Sequence, residues 1–417
     1  MDALTVLKEL WEQLSNNAVL QVIAGALASA LGGTGIFAFL RRSKSSERIG
    51  EFFTEKSLLY PPVQRPAYSD RMAHVLAEMS DLAYYEFEGK QGVVADAVAT
   101  LAGLDPGKPE QVHKFLEQFS ADLLGNRILN LDSLKQLLKA CGFEFIQEID
   151  IGETQGFACK RVAPAGPSYV VIAFRGTEKK ISDWLTDANA KPTEIKGTKE
   201  KVHTGFWEAF TKSDAEGQTV MKLVKEIMER KEAMDDNNKP LPLFITGHSL
   251  GGAIALLATK QLAPTVRGAC YTFGAPRVAN YEYFKDVKTP IYRVVNSSDM
   301  VPRVPPGAGM TVIVGAMKLL SWATGTVPQV SKIFDRLETF FDKLSGYRHA
   351  GDQRYLTDVA AGKFENVRLL SNPPAVDRAL WMARRIALTF SSPVQAHSMT
   401  IYRRKLKFIA TSRNGLT

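Results

Sequence analysis

Residues 241–262 read LPLFITGHSLGGAIALLATKQL, and this stretch decides the fold. The apolar run LPLFIT predicts a buried strand, and the run after the serine has the apolar spacing of a helix. Between them lies Gly247-His248-Ser249-Leu250-Gly251, a G-x-S-x-G motif. A residue on such a sharp strand-to-helix turn is strained, and the flanking glycines make room for the turn. Ser249 is therefore the predicted nucleophile.

The pattern on either side of this turn predicts an α/β fold. Between residues 157 and 296, short β-branched runs alternate with longer helical ones, as in a largely parallel sheet. The β-branched runs are residues 169–174, 241–246 and 291–295. Upstream, residues 46–154 predict a helical N-terminal region. We place the catalytic domain at residues 155–417.

Composition narrows the class of protein. The chain has 417 residues, of which 45% are hydrophobic and 23% charged, so it is globular rather than fibrous or disordered. The net charge is +8, yet the sequence has neither an aromatic-plus-basic ribonucleoprotein pattern nor zinc-finger spacing, which argues against a nucleic-acid partner. Three widely separated cysteines argue against a disulfide framework and favour a reducing compartment.

Residues 18–40 form an apolar run without a charged side chain, long enough to span a bilayer as a helix. Arg41, Arg42 and Lys44 follow it, and the positive-inside rule then places the later residues on the cytoplasmic side. We therefore predict a single-pass anchor within residues 1–45. A cleavable signal, a buried helix of a soluble domain and the reversed topology are the alternatives.

Small residues recur along this run at Gly25, Ser29 and Gly33. A stripe of this kind lets two membrane helices approach closely and predicts a possible homodimer. The alternative is that a segment rich in glycine and alanine has small residues on every face.

A serine nucleophile needs a base, and in α/β-hydrolases an acid and then a histidine follow the serine in the chain. Asp299 comes just after the predicted strand at 292–296, at the strand end where active-site groups collect. Two histidines come later still, His349 and His397. The residues alone leave both open as the base.

The serine motif and four further segments, read in order, resemble the class 3 lipases, the family of the fungal triacylglycerol lipases. They are Phe174-Arg175-Gly176-Thr177, His203-Thr204-Gly205-Phe206, the serine motif, Thr272-Phe273-Gly274-Ala275-Pro276-Arg277-Val278 and Asn296-Ser297-Ser298-Asp299-Met300-Val301-Pro302. The resemblance covers roughly residues 157–405. It implies an α/β-hydrolase fold.

The resemblance also implies roles for individual residues. Asp299 is the acid, and the histidine of the Tyr347-Arg348-His349 segment is not the base. The base comes near the C-terminus, which selects His397, although Ala396 stands where an aspartate often precedes that histidine. The backbone N–H of Leu250, after the nucleophile, is one oxyanion donor. By resemblance the second donor is Thr177.

Two segments are expected to control access to the site. The family commonly covers its site with a short amphipathic helix, and Ile181, Trp184 and Leu185 follow helical spacing. We predict a lid there, with a plain surface helix as the alternative. Residues 307–344 read as an apolar insertion that touches lipid, and a buried core helix would have the same pattern.

Together these features predict a membrane-anchored serine hydrolase that cleaves lipid esters, acylglycerol or phospholipid, through an acyl-enzyme. This chemistry requires no metal and no organic cofactor. An acyltransferase working through the same acyl-enzyme is one alternative. The other is an inactive lipid-binding scaffold on the same fold.

Overall fold

The computed structural model describes the chain in several stretches. These are residues 52–63, 67–84, 86–87, 128–129, 131–162, 167–176, 192–262, 267–297, 299, 301–303, 346–357, 364–374, 377–378, 395–413 and 415. The predicted anchor at 18–40, on which the homodimer prediction depends, lies outside them, as do the predicted lid at 181–187 and the insertion at 307–344. Across the described stretches, no helix has both the length and the apolarity needed to cross a bilayer.

Most of the described strands belong to one sheet. The strands are β1 Glu86–Phe87, β2 Ile128–Leu129, β3 Phe143–Ile151, β4 Thr154–Arg161, β5 Tyr169–Phe174, β6 Pro192–Glu194, β7 Lys201–His203, β8 Leu243–His248, β9 Gly268–Phe273, β10 Ile291–Asn296, β11 Asp352–Leu356 and β12 Leu369–Ser371. The main sheet has eight of them in the order β12-β11-β10-β9-β8-β5-β4-β3. The remaining four form two short pairs, β1 with β2 and β6 with β7.

The centre of the main sheet is parallel. Strands β5, β8, β9, β10 and β11 are neighbours that run in the same direction. Toward the edges the pairings β3–β4, β4–β5 and β11–β12 are antiparallel. Every residue of β5 and of β8 is buried. Continuous burial of this kind is typical of parallel strands covered by helices on both faces. The predicted α/β fold with a mostly parallel sheet is confirmed.

Strand β3 lies in the region predicted to be helical, residues 46–154. It pairs antiparallel with β4, with Phe143 opposite Arg161 at one end. Most of its interior positions are only partly buried, as expected at a sheet edge. Apolar and polar residues alternate at both ends of FEFIQEIDI, but a β-bulge between Phe145 and Gln147 interrupts the alternation in the middle. The sheet therefore begins upstream of residue 155, where we predicted the start of its domain.

Helices cover both faces of the sheet. They are α1 Asp70–Leu82, α2 Leu131–Ala140, α3 Thr204–Thr211, α4 Val220–Glu229, α5 Leu250–Leu262, α6 Tyr281–Phe284 and α7 Met399–Arg413, with short 3₁₀ helices at Lys56–Leu59, Lys231–Ala233, Val301–Arg303, Phe364–Asn366 and Gln395–His397. Helices α1, α2 and α7 share one hydrophobic cluster with sheet residues such as Tyr271. Helices α3, α4 and α5 share the other with residues such as Ile172. The fold is a three-layer α/β/α arrangement.

Buried charges hold α7 against α1. Arg403 of α7 lies 3.3 Å from Glu78 Oε2 and 3.4 Å from Asp81 Oδ2, and all three side chains are buried. A buried charge is costly unless an opposite charge compensates it, so these contacts fix how the two helices pack. Burial, together with the positive charges of Lys407 and Arg403, lowers the pKa of the nearby His74 to about 3, so His74 is neutral.

The close approach of β8 and β9 depends on a glycine. Gly268 has φ +141°, and a Cβ at this position would lie 1.7 Å from the carbonyl oxygen of Leu243. We expect Gly268→Ala to lower the free energy of unfolding by about 3 kcal/mol or more, through steric overlap and backbone strain. Urea unfolding followed by circular dichroism measures the change.

Gly217→Ala is the matched control. Gly217 also has a left-handed φ, +76°, but a Cβ there would meet no atom within 4 Å. Only backbone strain is then added, at a cost of about 1 kcal/mol. Equal losses in the two variants would show that the contact between β8 and β9 does not depend on Gly268.

Candidate active site

The site is built on the turn between β8 and α5. Strand β8 ends at His248, α5 begins at Leu250, and Ser249 between them has φ +58°. A side chain at such a φ costs conformational energy and persists only when the surrounding structure imposes it. Here the backbone N–H of Ser249 donates to Phe273 O at 2.9 Å, and its carbonyl accepts from Gly252 N at 3.0 Å. The serine is thereby held in the strained conformation.

The flanking glycines make this turn possible. A Cβ on Gly247 would lie 2.2 Å from the carbonyl oxygen of Gly251. A Cβ on Gly251 would lie 2.2 Å from the carbonyl oxygen of Phe174, in the neighbouring strand. Both distances are well below van der Waals contact, so any side chain would push β8, β5 and α5 apart.

Asp299 and His397 form a direct hydrogen-bonded pair. The Nδ1 atom of His397 lies 3.0 Å from Asp299 Oδ1 and 2.9 Å from Oδ2. Asp299 is 0% exposed and His397 is 3% exposed. A carboxylate can only accept, so Nδ1 carries the hydrogen and Nε2 of the neutral ring is left as a proton acceptor. This is the state that a general base requires.

Further donors surround the Asp299 carboxylate. The N–H of Val301 donates to Oδ1 at 2.9 Å, and the hydroxyl of Tyr402 donates to Oδ2 at 2.5 Å. Burial and the nearby Asp299 raise the pKa of Tyr402 well above its usual value, so its hydroxyl keeps its proton and stays a donor. These hydrogen bonds compensate the buried negative charge.

Gly274 lies against the Asp299–His397 pair and directly follows the residue that binds the backbone of Ser249. It follows Phe273, whose carbonyl holds Ser249, and a Cβ on Gly274 would lie 2.7 Å from Asp299 Oδ2 and 3.0 Å from the ring of His397. The Oγ of Ser249 and the Nε2 of His397 are both buried, and neither forms a hydrogen bond with a described residue. The structure therefore does not join Ser249 Oγ to His397 Nε2 by a hydrogen bond.

His349, the other candidate base, has a different environment. Its Nε2 lies 2.6 Å from Pro302 O, so this nitrogen is already used as a donor to the backbone. Burial lowers the pKa of His349 well below its usual value, and the charges of Arg293 and Arg277 lower it further. Its ring nitrogen contacts a carbonyl rather than the Asp299 carboxylate. The geometry thus favours His397 over His349 as the partner of Asp299.

Of the two predicted oxyanion donors, Leu250 lies within the described residues and Thr177 does not. Leu250 is the first residue of α5, so its N–H lies at a helix N-terminus, where a developing negative charge is stabilised. Thr177 lies outside the described residues. It follows Gly176, where a Cβ would lie 2.7 Å from the carbonyl of His248, so the end of β5 approaches the serine turn. The oxyanion assignment stays a prediction.

Sequence reasoning missed several side chains that contact the Asp299–His397 pair or the backbone of the neighbouring Ala396. Sequence reasoning assigned no role to Tyr402, His248 or Asn296. His248 Nε2 lies 2.7 Å from His397 O, and Asn296 Nδ2 donates to Ala396 O at 2.6 Å. No spacing rule predicts such contacts, because each joins residues about a hundred or more positions apart.

Among the described residues, no group of three or more His, Cys, Asp or Glu side chains is placed to hold a metal ion.

The strain at Ser249 gives a test by stability. Ser249→Gly should be more stable than Ser249→Ala by about 1 kcal/mol, because glycine adopts φ +58° without steric cost. Ser80, in the interior of α1, is the control, since there glycine should be less stable than alanine by about 1 kcal/mol. Urea unfolding of the four variants measures both differences. Alanine more stable than glycine at position 249 would contradict the strained turn.

The part of the chain that contains the serine turn is similar in sequence to known lipases. Residues 171–308 match the family model described as lipase (class 3). The chain is 31% identical over 164 residues to the Arabidopsis thaliana phospholipase A1-Igamma2, covering 33% of this chain and 30% of that protein. It is 33% identical over 154 residues to a Rhizomucor miehei lipase, covering 33% and 38%. The chain thus spans about a third of the length of these curated relatives.

A solved structure, lipase II of Rhizopus niveus, aligns with 63% of this chain and 82% of its own, at 22% identity and a TM-score of 0.40. The serine turn, β9 and β10 all lie within the matched segment. Over residues 171–308 the chain is thus similar to the class 3 lipase family.

Proposed function

We propose that the protein is a serine hydrolase that cleaves a carboxylic ester bond of a lipid. The observation that carries this proposal is the pairing of His397 Nδ1 with both Asp299 oxygens, at 3.0 and 2.9 Å. It leaves Nε2 free to take a proton. Ser249 is held on the strained turn directly after His248, whose ring centroid lies 4.4 Å from that of His397. Nucleophile, base and orienting acid are the three groups that acyl transfer through a serine requires.

The proposed reaction has two half-reactions. Ser249 Oγ attacks the ester carbonyl carbon while its proton passes to His397 Nε2, and Asp299 stabilises the resulting imidazolium. The Leu250 N–H and the α5 N-terminus stabilise the oxyanion. When the tetrahedral intermediate collapses, the alcohol leaves with the proton from His397. Water then attacks the acyl-enzyme with His397 as base, which releases the acid and restores Ser249.

The proposal of a lipid substrate is supported by the relatives and by the sequence. The relatives are named as a phospholipase A1 and a lipase, although the chain matches only about a third of either. We propose an acylglycerol or a phospholipid as the substrate. Proposed anchoring through residues 18–40, with the later residues on the cytoplasmic side, would place the site at a membrane leaflet.

An ester panel tests the activity. The detergent-purified full chain is assayed on acylglycerols, phospholipids and short p-nitrophenyl esters. We expect Ser249→Ala and His397→Ala to lower kcat by about 10³-fold or more, because each removes a group that acts in the chemical step. His349→Gln should keep an activity close to wild type, since glutamine can still donate to Pro302 O.

The pattern of losses distinguishes the alternatives. If His349→Gln abolishes activity and His397→Ala does not, the assignment of the base is wrong. An inert wild-type protein on every ester would contradict the proposed function. The best substrate of the panel names the lipid class.

Cysteine labelling tests the proposed topology. Cys141, Cys159 and Cys270 are buried and should not react with an impermeant maleimide. In intact cells we expect Asn16→Cys to be labelled and Ser45→Cys to be labelled only after permeabilisation. Labelling of Ser45→Cys in intact cells would reverse the proposed orientation.

A further inference from the structure

The 3₁₀ turn Gln395–His397 presents two backbone carbonyls to side chains from distant parts of the fold. Asn296 Nδ2 donates to Ala396 O at 2.6 Å, and His248 Nε2 lies 2.7 Å from His397 O. The next carbonyl along the chain, that of Ser398, accepts a backbone hydrogen bond of α7, from Ile401 N at 3.0 Å. We propose that His248 and Asn296 are positioning residues that hold the backbone of His397 for proton transfer, an inference that rests on the proposed function.

The partners of His248 fix its direction of donation. A carbonyl oxygen can only accept, so Nε2, which faces His397 O, carries the hydrogen. The other ring nitrogen, Nδ1, lies 2.7 Å from the hydroxyl of Tyr84, just after α1. In the neutral ring Nδ1 is then the acceptor and Tyr84 the donor, so one tautomer satisfies both contacts. Tyr84 thereby orients the ring that holds His397.

The partners of Asn296 fix its amide in the same way. The ammonium group of Lys405 donates to Asn296 Oδ1 at 2.7 Å and to Thr357 O at 2.7 Å. An ammonium group only donates, so the amide oxygen must face it, and the amide nitrogen is left facing Ala396 O. Lys405 and Asn296 are both buried, so water does not compete for these contacts.

His248 and Asn296 connect the backbone of the proposed base to the segments that carry Ser249 and Asp299. His248 directly precedes Ser249, and its ring centroid lies 4.4 Å from that of His397. Asn296 ends β10, and its carbonyl accepts from Asp299 N at 2.7 Å. The backbone that carries the base is therefore anchored to the segment of the nucleophile and to the segment of the acid. A displacement of about 1 Å in such an arrangement costs about 10²-fold in rate.

Substitutions at His248 test the first contact. His248→Leu removes the donor but keeps an apolar side chain of moderate size, and we expect kcat to fall about 10- to 100-fold with KM changed less than about twofold. His248→Gln keeps an N–H that can reach His397 O and should recover most of the loss. His74→Leu, at another buried neutral histidine, is the matched control and should keep the wild-type kcat.

Asn296→Asp tests the second contact. The carboxylate can still accept from Lys405, so the fold keeps its buried pair, but an acceptor now faces Ala396 O where a donor stood. We expect kcat to fall about tenfold or more while the urea midpoint stays near wild type. Asn280→Asp is the control, because Asn280 caps α6 away from the triad and aspartate caps equally well.

Rates are expressed per active site, counted by titration with a p-nitrophenyl phosphonate. Lower kcat per site with unchanged KM in His248→Leu and Asn296→Asp, and recovery in His248→Gln, supports the positioning role. If wild type is active, Ser249→Ala is inactive and both variants keep wild-type kcat per site, the positioning role is wrong and the proposed function stands. If wild type neither hydrolyses an ester nor reacts with the phosphonate, the proposed function is overturned and this inference falls with it.

Discussion

The hydrogen bond between His397 Nδ1 and the Asp299 carboxylate is the constraint on which the site depends, and it joins residues 98 positions apart in the chain. A carboxylate with no exposure to water is stable only if donors surround it. Val301 supplies one donor from the turn after β10 and Tyr402 supplies another from α7. The bond therefore requires that the end of β10 and the beginning of α7 meet at one place.

The packing of α1 against α7 fixes where the beginning of α7 lies. Helix α1 lies on the same face of the sheet as α7, and Arg403 joins the two through Glu78 and Asp81. Tyr84, two residues after the end of α1, forms a hydrogen bond with Nδ1 of His248. Residues well upstream of the segment that matches the lipase family thus contact the candidate active site directly. This gives a physical role to part of a region whose sequence carries no chemical motif.

The serine turn shows how strain and close packing are combined. Ser249 is held at φ +58° by backbone hydrogen bonds to the end of β9 and to the first turn of α5. Gly247 and Gly251 leave the room that these contacts need, and Gly274 leaves the room for Asp299 and His397. Strain at one residue is thereby balanced by packing that several glycines allow. Because these glycines have no side chain, the ends of β8 and β9 can lie close to Ser249, Asp299 and His397.

The sequence by itself determined the features that depend on neighbouring residues. The serine turn, the parallel strands β5, β8 and β10, and the position of Asp299 after a strand all follow from local patterns of apolar residues and glycine. Strand β3 was not predicted, because the β-bulge between Phe145 and Gln147 interrupts its alternation of apolar and polar residues. Reading the residues alone also left His349 and His397 open, since the choice depends on which ring nitrogen meets Asp299. Only the tertiary structure decided that pairing, together with the contacts of His248 and Asn296, because hydrogen bonds between distant segments are set by packing and leave no periodic signal in the chain.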